Sequence, residues 1–316
     1  MQYKHIFGPV PSRRLGVSLG IDLTPQKACT LNCVYCECGK TDILTLERKE
    51  YVPTAEVIEE LRHYLSTEPD LDAVTFSGSG EPTLHIGVGE IIAFLKREFP
   101  RYRVVMLTNS TLLHLPDVRQ ALMPADLVVP SLDAVSEDAF LHINRPKHGL
   151  TSTGLIEGLT MFCDEFRGEI WLEVFVIPGI NDTEEELALF AQVFARLRVN
   201  RIQLNSLDRP GAVDWLEPMP RENLVALAHR LGDKVEVIGK PVIRQHCAAW
   251  SEDVRDRILA TIRVRPCTLD DLAGALGLHT LDVGKYLDVL LEEGVVEQNI
   301  GERGVFYRVK KDETTK

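Results

Sequence analysis

Nowhere in these 316 residues is there an unbroken apolar run of the roughly 18 that a membrane-spanning helix needs. The opening MQYKHIFGPVPSRRLG also lacks the apolar core of a secretory leader. Together these absences predict a cytoplasmic protein with no membrane partner. Positive charge is scarce: 35 Lys and Arg stand against 47 Asp and Glu, a net charge of −12, which argues against a broad nucleic-acid-binding surface. Cysteines are few, and their number, seven, is odd. That does not suit a disulfide framework, and in a reducing cytosol clustered cysteines are more often metal ligands or redox groups. What is plentiful is apolar content, 45%, enough to fill the core of one large α/β unit with a small unit beside it.

From about residue 17 to about 240, β-rich runs alternate with amphipathic stretches. VSLGID, DAVTFSG, RVVMLTN, DLVVPSL, IWLEVFVIPG, RIQLNSL and KVEVIG read as strands. TAEVIEELRHYL, VGEIIAFLKREF, STGLIEGLTMFCDEF and EEELALFAQVFARL carry apolar residues at three- and four-residue intervals, the period of a helix with one buried face. Such alternation specifies βα units and a parallel sheet. Six or seven units suit a full or partial barrel, with a doubly wound open sheet as the alternative. In either case the chemistry gathers where strands end and loops begin.

The polar residues fall at those ends. KACTLNCVYCECGK, residues 27–40, follows the first predicted strand; SGSGEPTLH, TNST, PSLDA and PGIND follow the next four. Within the first loop Cys29, Cys33 and Cys36 are spaced C-x3-C-x2-C, with Cys38 two residues on. Three thiolates on a short loop suit three irons of a [4Fe–4S] cluster, which normally takes four protein thiolates, and leave one iron open to a small molecule. The alternative is a zinc site completed by Cys38. In the second loop Gly78 and Gly80 let the backbone approach a ligand, and Glu81 supplies a carboxylate suited to a cationic amine. Read alone, the same residues make an ordinary turn. Cys163 lies on the apolar face of its predicted helix, and no two of Cys163, Cys247 and Cys267 share a metal-ligand spacing.

The C-x3-C-x-Φ-C pattern, with Tyr35 before Cys36, closely resembles that of radical S-adenosylmethionine (SAM) enzymes. The resemblance implies that Cys29, Cys33 and Cys36 hold a [4Fe–4S] cluster whose open iron chelates SAM. It further implies that Gly78, Gly80, Glu81 and Pro82 receive the SAM ammonium, with Ser79 interposed in the family's glycine pair. Asn109, Ser131, Asp133 and Glu173 match polar strand-end positions that contact the ribose, the SAM carboxylate or the substrate, and Val176 and Pro178 match an adenine-contacting strand. The expected fold is α/β, a partial (β/α)6 TIM-like barrel. The expected chemistry is reductive cleavage of SAM to methionine and a 5′-deoxyadenosyl radical, which removes hydrogen from a tRNA base, peptide or protein. A flavodoxin- or ferredoxin-like donor supplies the electron. More narrowly, FGPVPSRRLG ahead of the first strand resembles the Fe–S oxidoreductase group related to 4-demethylwyosine synthases. The chain departs from those synthases in having no cysteine before Cys29, where they hold a second cluster. Arg13 and Arg14 read either as anion ligands or as a solvated pair.

Residues 252–311 read as a second domain after a barrel domain of 1–248, with a disordered tail at 312–316. SEDVRDRILATIR, TLDDLAGALG and TLDVGKYLDVLLEEG predict three helices, and VVEQNIGERGVFYRVK a hairpin. That order resembles a winged helix-turn-helix. Residues 251–316 hold 10 basic and 13 acidic residues, and the second helix of the pair offers Asp282, Lys285, Asp288, Glu292 and Glu293, so specific DNA binding is not expected. Docking of an RNA, peptide or protein substrate is the expected role. The alternative function is an iron–sulfur sensor that regulates transcription through this domain.

Overall fold

The computed structural model describes residues 3–207, 211–238, 253–278, 280–301 and 303–310. The chain begins β1 (Ile6–Ser12), β2 (Gly16–Ile21), β3 (Ala28–Cys29), β4 (Ile43–Leu44), α1 (Thr54–Leu65) and β5 (Ala73–Phe76). It continues through a 3-10 turn at Pro82–Leu84 to α2 (Val88–Glu98), β6 (Arg103–Thr108), α3 (Pro116–Leu122), β7 (Leu127–Pro130), α4 (Glu137–Ile143) and α5 (Ser152–Glu165). Then come β8 (Glu169–Phe175), α6 (Glu184–Phe194), β9 (Arg201–Asn205), α7 (Arg221–Leu231) and β10 (Val235–Val237).

Eight of these strands form one sheet, in the order β1-β2-β5-β6-β7-β8-β9-β10. From β2 to β10 every neighbouring pair is parallel, with Ser18 opposite Ala73 and Trp171 opposite Arg201. Each parallel connection carries at least one helix, as the crossover geometry requires. Among the described residues β1 and β10 stand at the sheet's edges, so the α/β fold is an incomplete barrel. Its seven parallel strands match the seven β-rich runs of the sequence, one more than the (β/α)6 barrel that the family resemblance implies.

The sequence reading also misses β1. Pro9 and Pro11 argue against a strand, because proline has no N–H to give a ladder. The position at the edge resolves this, since among the described residues β1 pairs only with β2, antiparallel.

Two layers of apolar side chains hold the sheet. Val74, Phe76, Val104, Met106 and Val128 face the helices and pack with Ile91, Leu122, Phe162 and Phe190. On the other face Ala73, Val105, Leu127, Val129 and Trp171 form an inner core with Leu15. Strands covered on both faces explain why β5 and β7 are buried at every residue and read as continuous apolar runs. In α1 Val57, Leu61 and Leu65 recur every four residues and are all buried, each contributing about 1.5–3 kcal/mol.

The C-terminal part comprises α8 (Asp253–Val264), β11 (Cys267–Thr268), α9 (Leu269–Leu276), α10 (Thr280–Glu292), β12 (Val296–Gly301) and β13 (Gly304–Val309). Its antiparallel sheet runs β11-β13-β12, and β11 is an addition to the predicted order. A capping box between Thr268 and Asp271 opens α9, and Gly277 in the left-handed region closes it. Ile258, Leu272, Val283 and Leu287 lie in a core of their own. The two parts meet where Phe7 of β1 packs with Ala275 and Val264. Cys163 and Cys267 are buried. His246, Cys247, the expected domain boundary and the 312–316 tail lie outside the described residues. No helix among the described residues is long and apolar enough to cross a membrane.

Candidate active site

The cysteine loop is fixed by what lies between its thiols. Val34 is fully buried, in a cluster with Ile143, Phe175, Ile177 and Leu216. Its N–H donates to the Ile143 carbonyl at 2.9 Å, and the Asn32 N–H donates to Asn144 at 2.9 Å. The loop is therefore clamped to the end of α4. Lys27, itself buried, closes the other side by donating from Nζ to the Gly39 carbonyl. Cys29, Cys33 and Cys36 line an open cleft of about 210 Å³ at the carboxyl ends of the parallel strands, with Tyr35 beside them.

The glycine loop forms the next wall. Gly78, Gly80, Glu81 and Pro82 all line the cleft. A Cβ on Gly80 would fall 2.0 Å from the Ala28 carbonyl oxygen, and one on Gly78 would strike Asp22 at 2.5 Å. The loop thus touches the cysteine loop through backbone alone, and the Glu81 N–H donates to Ala28 at 3.0 Å. Ser79 turns away from that contact, and its hydroxyl donates to the buried Asp22 at 2.7 Å.

Glu81 differs from expectation. Its carboxylate is turned into the protein, accepting from the Thr83 N–H and hydroxyl at 3.1 and 2.6 Å, the Thr108 hydroxyl at 2.8 Å and the Asn109 N–H at 2.7 Å. Burial raises its pKa against the pull of these bonds. It ties the end of β5 to the end of β6.

Asn109 lines the cleft, but its side chain serves the cysteine loop. Its Nδ2 donates to Cys29 Sγ at 3.4 Å and to the Thr30 hydroxyl at 2.8 Å. Ser131 lines the cleft from the end of β7. Asp133 lies beneath it, accepting from the Tyr35 hydroxyl at 2.5 Å, Asn144 Nδ2 at 2.8 Å and the Phe175 N–H at 2.9 Å. Burial pushes the Asp133 carboxyl up to about 6. Burial and the Asp133 charge hold the Tyr35 phenol protonated, and its ring stacks on Phe175 at 3.9 Å.

Three candidates are not brought to the cleft. Glu173 pairs with Arg14 at 3.0 Å and accepts from Asn205 at 2.9 Å. That pairing also answers the question of Arg14. Val176 is buried in the helix-facing core, and Pro178 is exposed beyond it.

The sequence reading misses Lys27 and Asn144. Asn144 Nδ2 donates to Cys33 Sγ at 3.4 Å, and its only sequence signal is a polar residue just past a short amphipathic run. Lys27 stands two residues before the first thiol, which by itself distinguishes it from no other lysine.

The donor set fits an iron–sulfur cluster. All three groups are thiols, and N–H groups of Asn109, Leu31 and Asn144 point at two of the sulfurs, the kind of contact that tunes such clusters. Burial pushes the Cys29 thiol up to about 12, helped by the Glu81 charge, and burial with the Asp133 charge raises Cys33. The Cys38 hydrogen bond and then the Lys27 ammonium bring Cys36 down to about 6. Two of three thiolates therefore need the positive charge that iron itself supplies.

Residues 23–191 match the family model of the Radical SAM superfamily. The chain is 35% identical over 268 residues to a UPF0026 protein of Methanocaldococcus jannaschii, covering 82% of each. It is 32% identical over 302 residues to a GTPase Obg of Brachyspira hyodysenteriae, a match over 95% of this chain that spans only 44% of that relative's length. A solved radical SAM methyltransferase from Sphaerobacter thermophilus superposes with a TM-score of 0.51 at 19% identity, over 70% of this chain and 66% of that one, which is a likeness of fold. The chain belongs to the radical SAM superfamily, and its cofactors are a [4Fe–4S] cluster and S-adenosylmethionine.

Proposed function

We propose that this enzyme holds its cluster through Cys29, Cys33 and Cys36 and uses it to cleave SAM reductively. The bound cluster and SAM supply one chemistry, electron transfer into the sulfonium that breaks a carbon–sulfur bond and yields methionine and a hydrogen-abstracting 5′-deoxyadenosyl radical. The observation that carries the reading is the convergence of three thiols with the Ser77–Pro82 backbone, Asn109 and Ser131 on one cleft. Cys38 is left outside the proposed ligand set: besides its hydrogen bond with Cys36, its Sγ is directed at the carbonyl oxygens of Val264 and Gly78, at 3.1 and 3.6 Å. Gly78 and Gly80 present backbone to the SAM amine, Glu81 and Asn109 position the two loops, and Asp133 fixes the Tyr35 hydroxyl beside the thiols.

We further read residues 252–311 as a winged-helix module that docks an RNA, peptide or protein substrate, and a flavodoxin- or ferredoxin-like protein as the electron donor. A cytoplasmic, reducing compartment suits the free thiols. Kinship with the wyosine synthases rests on Pro11-Ser12-Arg13-Arg14-Leu15-Gly16, where the Ser12 hydroxyl accepts from the N–H groups of Arg14 and Leu15. Nucleotide hydrolysis is not carried over from the GTPase relative. Gly39-Lys40-Thr41 has Val34 where a phosphate-binding loop needs its first glycine.

The test is anaerobic: reconstitute the cluster, add SAM and dithionite, and quantify 5′-deoxyadenosine beside a Cys33→Ala variant. Production by the wild type that vanishes in the variant is the expected result. An intact cluster with equal traces in both sinks the reading.

A further inference from the structure

A second cavity, of about 350 Å³, lies between the cysteine loop and the C-terminal helices and sheet. One wall is Glu37, Cys38 and Gly39; the other is the end of α8, the residues after it, and β13 with Lys310. Cys38 Sγ donates to the Val264 carbonyl at 3.1 Å and joins the walls.

Charge is unevenly spread around this space. Residues 251–316 are acidic as a group, with 13 acidic and 10 basic side chains. Yet among the described residues that part contributes Arg263, Arg265, Arg308 and Lys310 to the lining and no acid; the one carboxylate is Glu37, from the opposite wall. Arg308 gives its Nε–H to Glu297 at 2.7 Å. Arg263, Arg265 and Lys310 have no side-chain acceptor among the described residues, and Arg265 Nε is buried without a partner. A buried donor left unpaired is costly, and an oxygen brought by a ligand removes the cost.

Guanidinium forks beside an ammonium match the geometry of a phosphate, which two parallel N–H groups can bind at once. The volume falls in the range of small-molecule sites, and a bare phosphate fills little of it. Ile262, Val264 and Pro266 offer apolar surface to an organic group. We propose that this cavity binds a small phosphate ester of about mononucleotide size, its phosphate held by Arg263, Arg265 and Lys310. The site is separate from the SAM cleft and rests on neither the cluster nor radical chemistry.

Calorimetric titration of the full anaerobic chain with uridine 5′-monophosphate tests it, with uridine and inorganic phosphate as controls. The nucleotide binds saturably and about tenfold or more tighter than either control, more weakly in high salt, and without displacement by saturating SAM. Arg265→Gln weakens binding at least about tenfold. Arg263→Gln, at an exposed position, weakens it in the same direction and guards against misfolding of the first variant. Equal affinity for nucleotide and uridine, phosphate binding as tightly as the nucleotide, displacement by SAM, or full binding in both variants overturns the proposal.

Discussion

Where the parallel strands begin, Arg103 meets Glu169 at 3.0 Å and Arg201 meets Glu236 at 3.5 Å, and both guanidinium groups lie about 5 Å from the Trp171 ring. Where the strands end, Glu81 and Asp133 are 2% and 4% exposed, and the bonds they accept come from neutral hydroxyl, amide and phenol donors. Both ends hold acids, but only the first supplies each with a cation. A paired surface acid is quiet electrostatically, whereas a buried acid held by dipoles keeps its field, and such groups cluster where ligands and chemistry are met. The beginning of the sheet closes the barrel; its end is poised for a charged visitor. Arg14 and Glu173 form a further acid–cation pair, mostly buried, with Arg14 lining a pocket shared with Arg103.

The contrast can be broken or sharpened by substitution. Cys33→Ala is the largest change expected, with iron content falling and 5′-deoxyadenosine dropping to background. Glu81→Ala follows. It strands the donors of Thr83, Thr108 and Asn109, and urea denaturation should show a loss on the order of 3 kcal/mol. A loss under about 1 kcal/mol would mean that these donors find water easily and that the end of the sheet is no drier than its beginning.

Asp133 gives a pH test. Its folded pKa of about 6 lies above the ordinary 3.8, so its favourable contribution is present below 3.8 and is lost as pH rises through 6. Across that window the wild type should lose up to about 3 kcal/mol relative to Asp133→Asn, measured as the difference between their denaturation curves at each pH. Parallel curves would show that the carboxyl titrates normally. Smallest of all is Arg201→Ala at the opposite end. Its half-exposed pair and ring contact are worth about 1 kcal/mol or less, with 5′-deoxyadenosine formation unchanged.

Much of this is legible from residue order. Seven β-rich runs specify the seven parallel strands, and where both faces are covered, as in β5 and β7, the strand is buried throughout. The thiol spacing places Cys29, Cys33 and Cys36 on one loop, and the strand-end rule brings Gly78, Gly80, Asn109 and Ser131 to the same cleft. The failures are of another kind. Glu81 and Asp133 read as groups facing a ligand, but a carboxylate's direction depends on which donors the neighbouring strands present, and these sit at Thr108, Asn109 and Phe175. Glu173 is drawn to Arg14, from β8 back to the turn between β1 and β2. Asn144 reaches Cys33 over 111 residues, and Cys38 reaches Val264 over 226; no local pattern carries contacts so distant. Asp133 and Asn144 are nonetheless only 11 residues apart, held by one short helix, so that pair is within reach of a helical reading.

The missing methyl at Gly80 bears on how this chain can change over generations. With 2.0 Å to a carbonyl oxygen, no side chain fits there unless the cysteine loop moves as well. Ser79, between the two glycines, points elsewhere and answers to Asp22. Gly-Ser-Gly is thus two contacts and a tether, each residue answering to a different neighbour. A side chain at Gly80 is expected to disrupt the site unless the cysteine loop shifts with it, which ties the two loops' positions to one another.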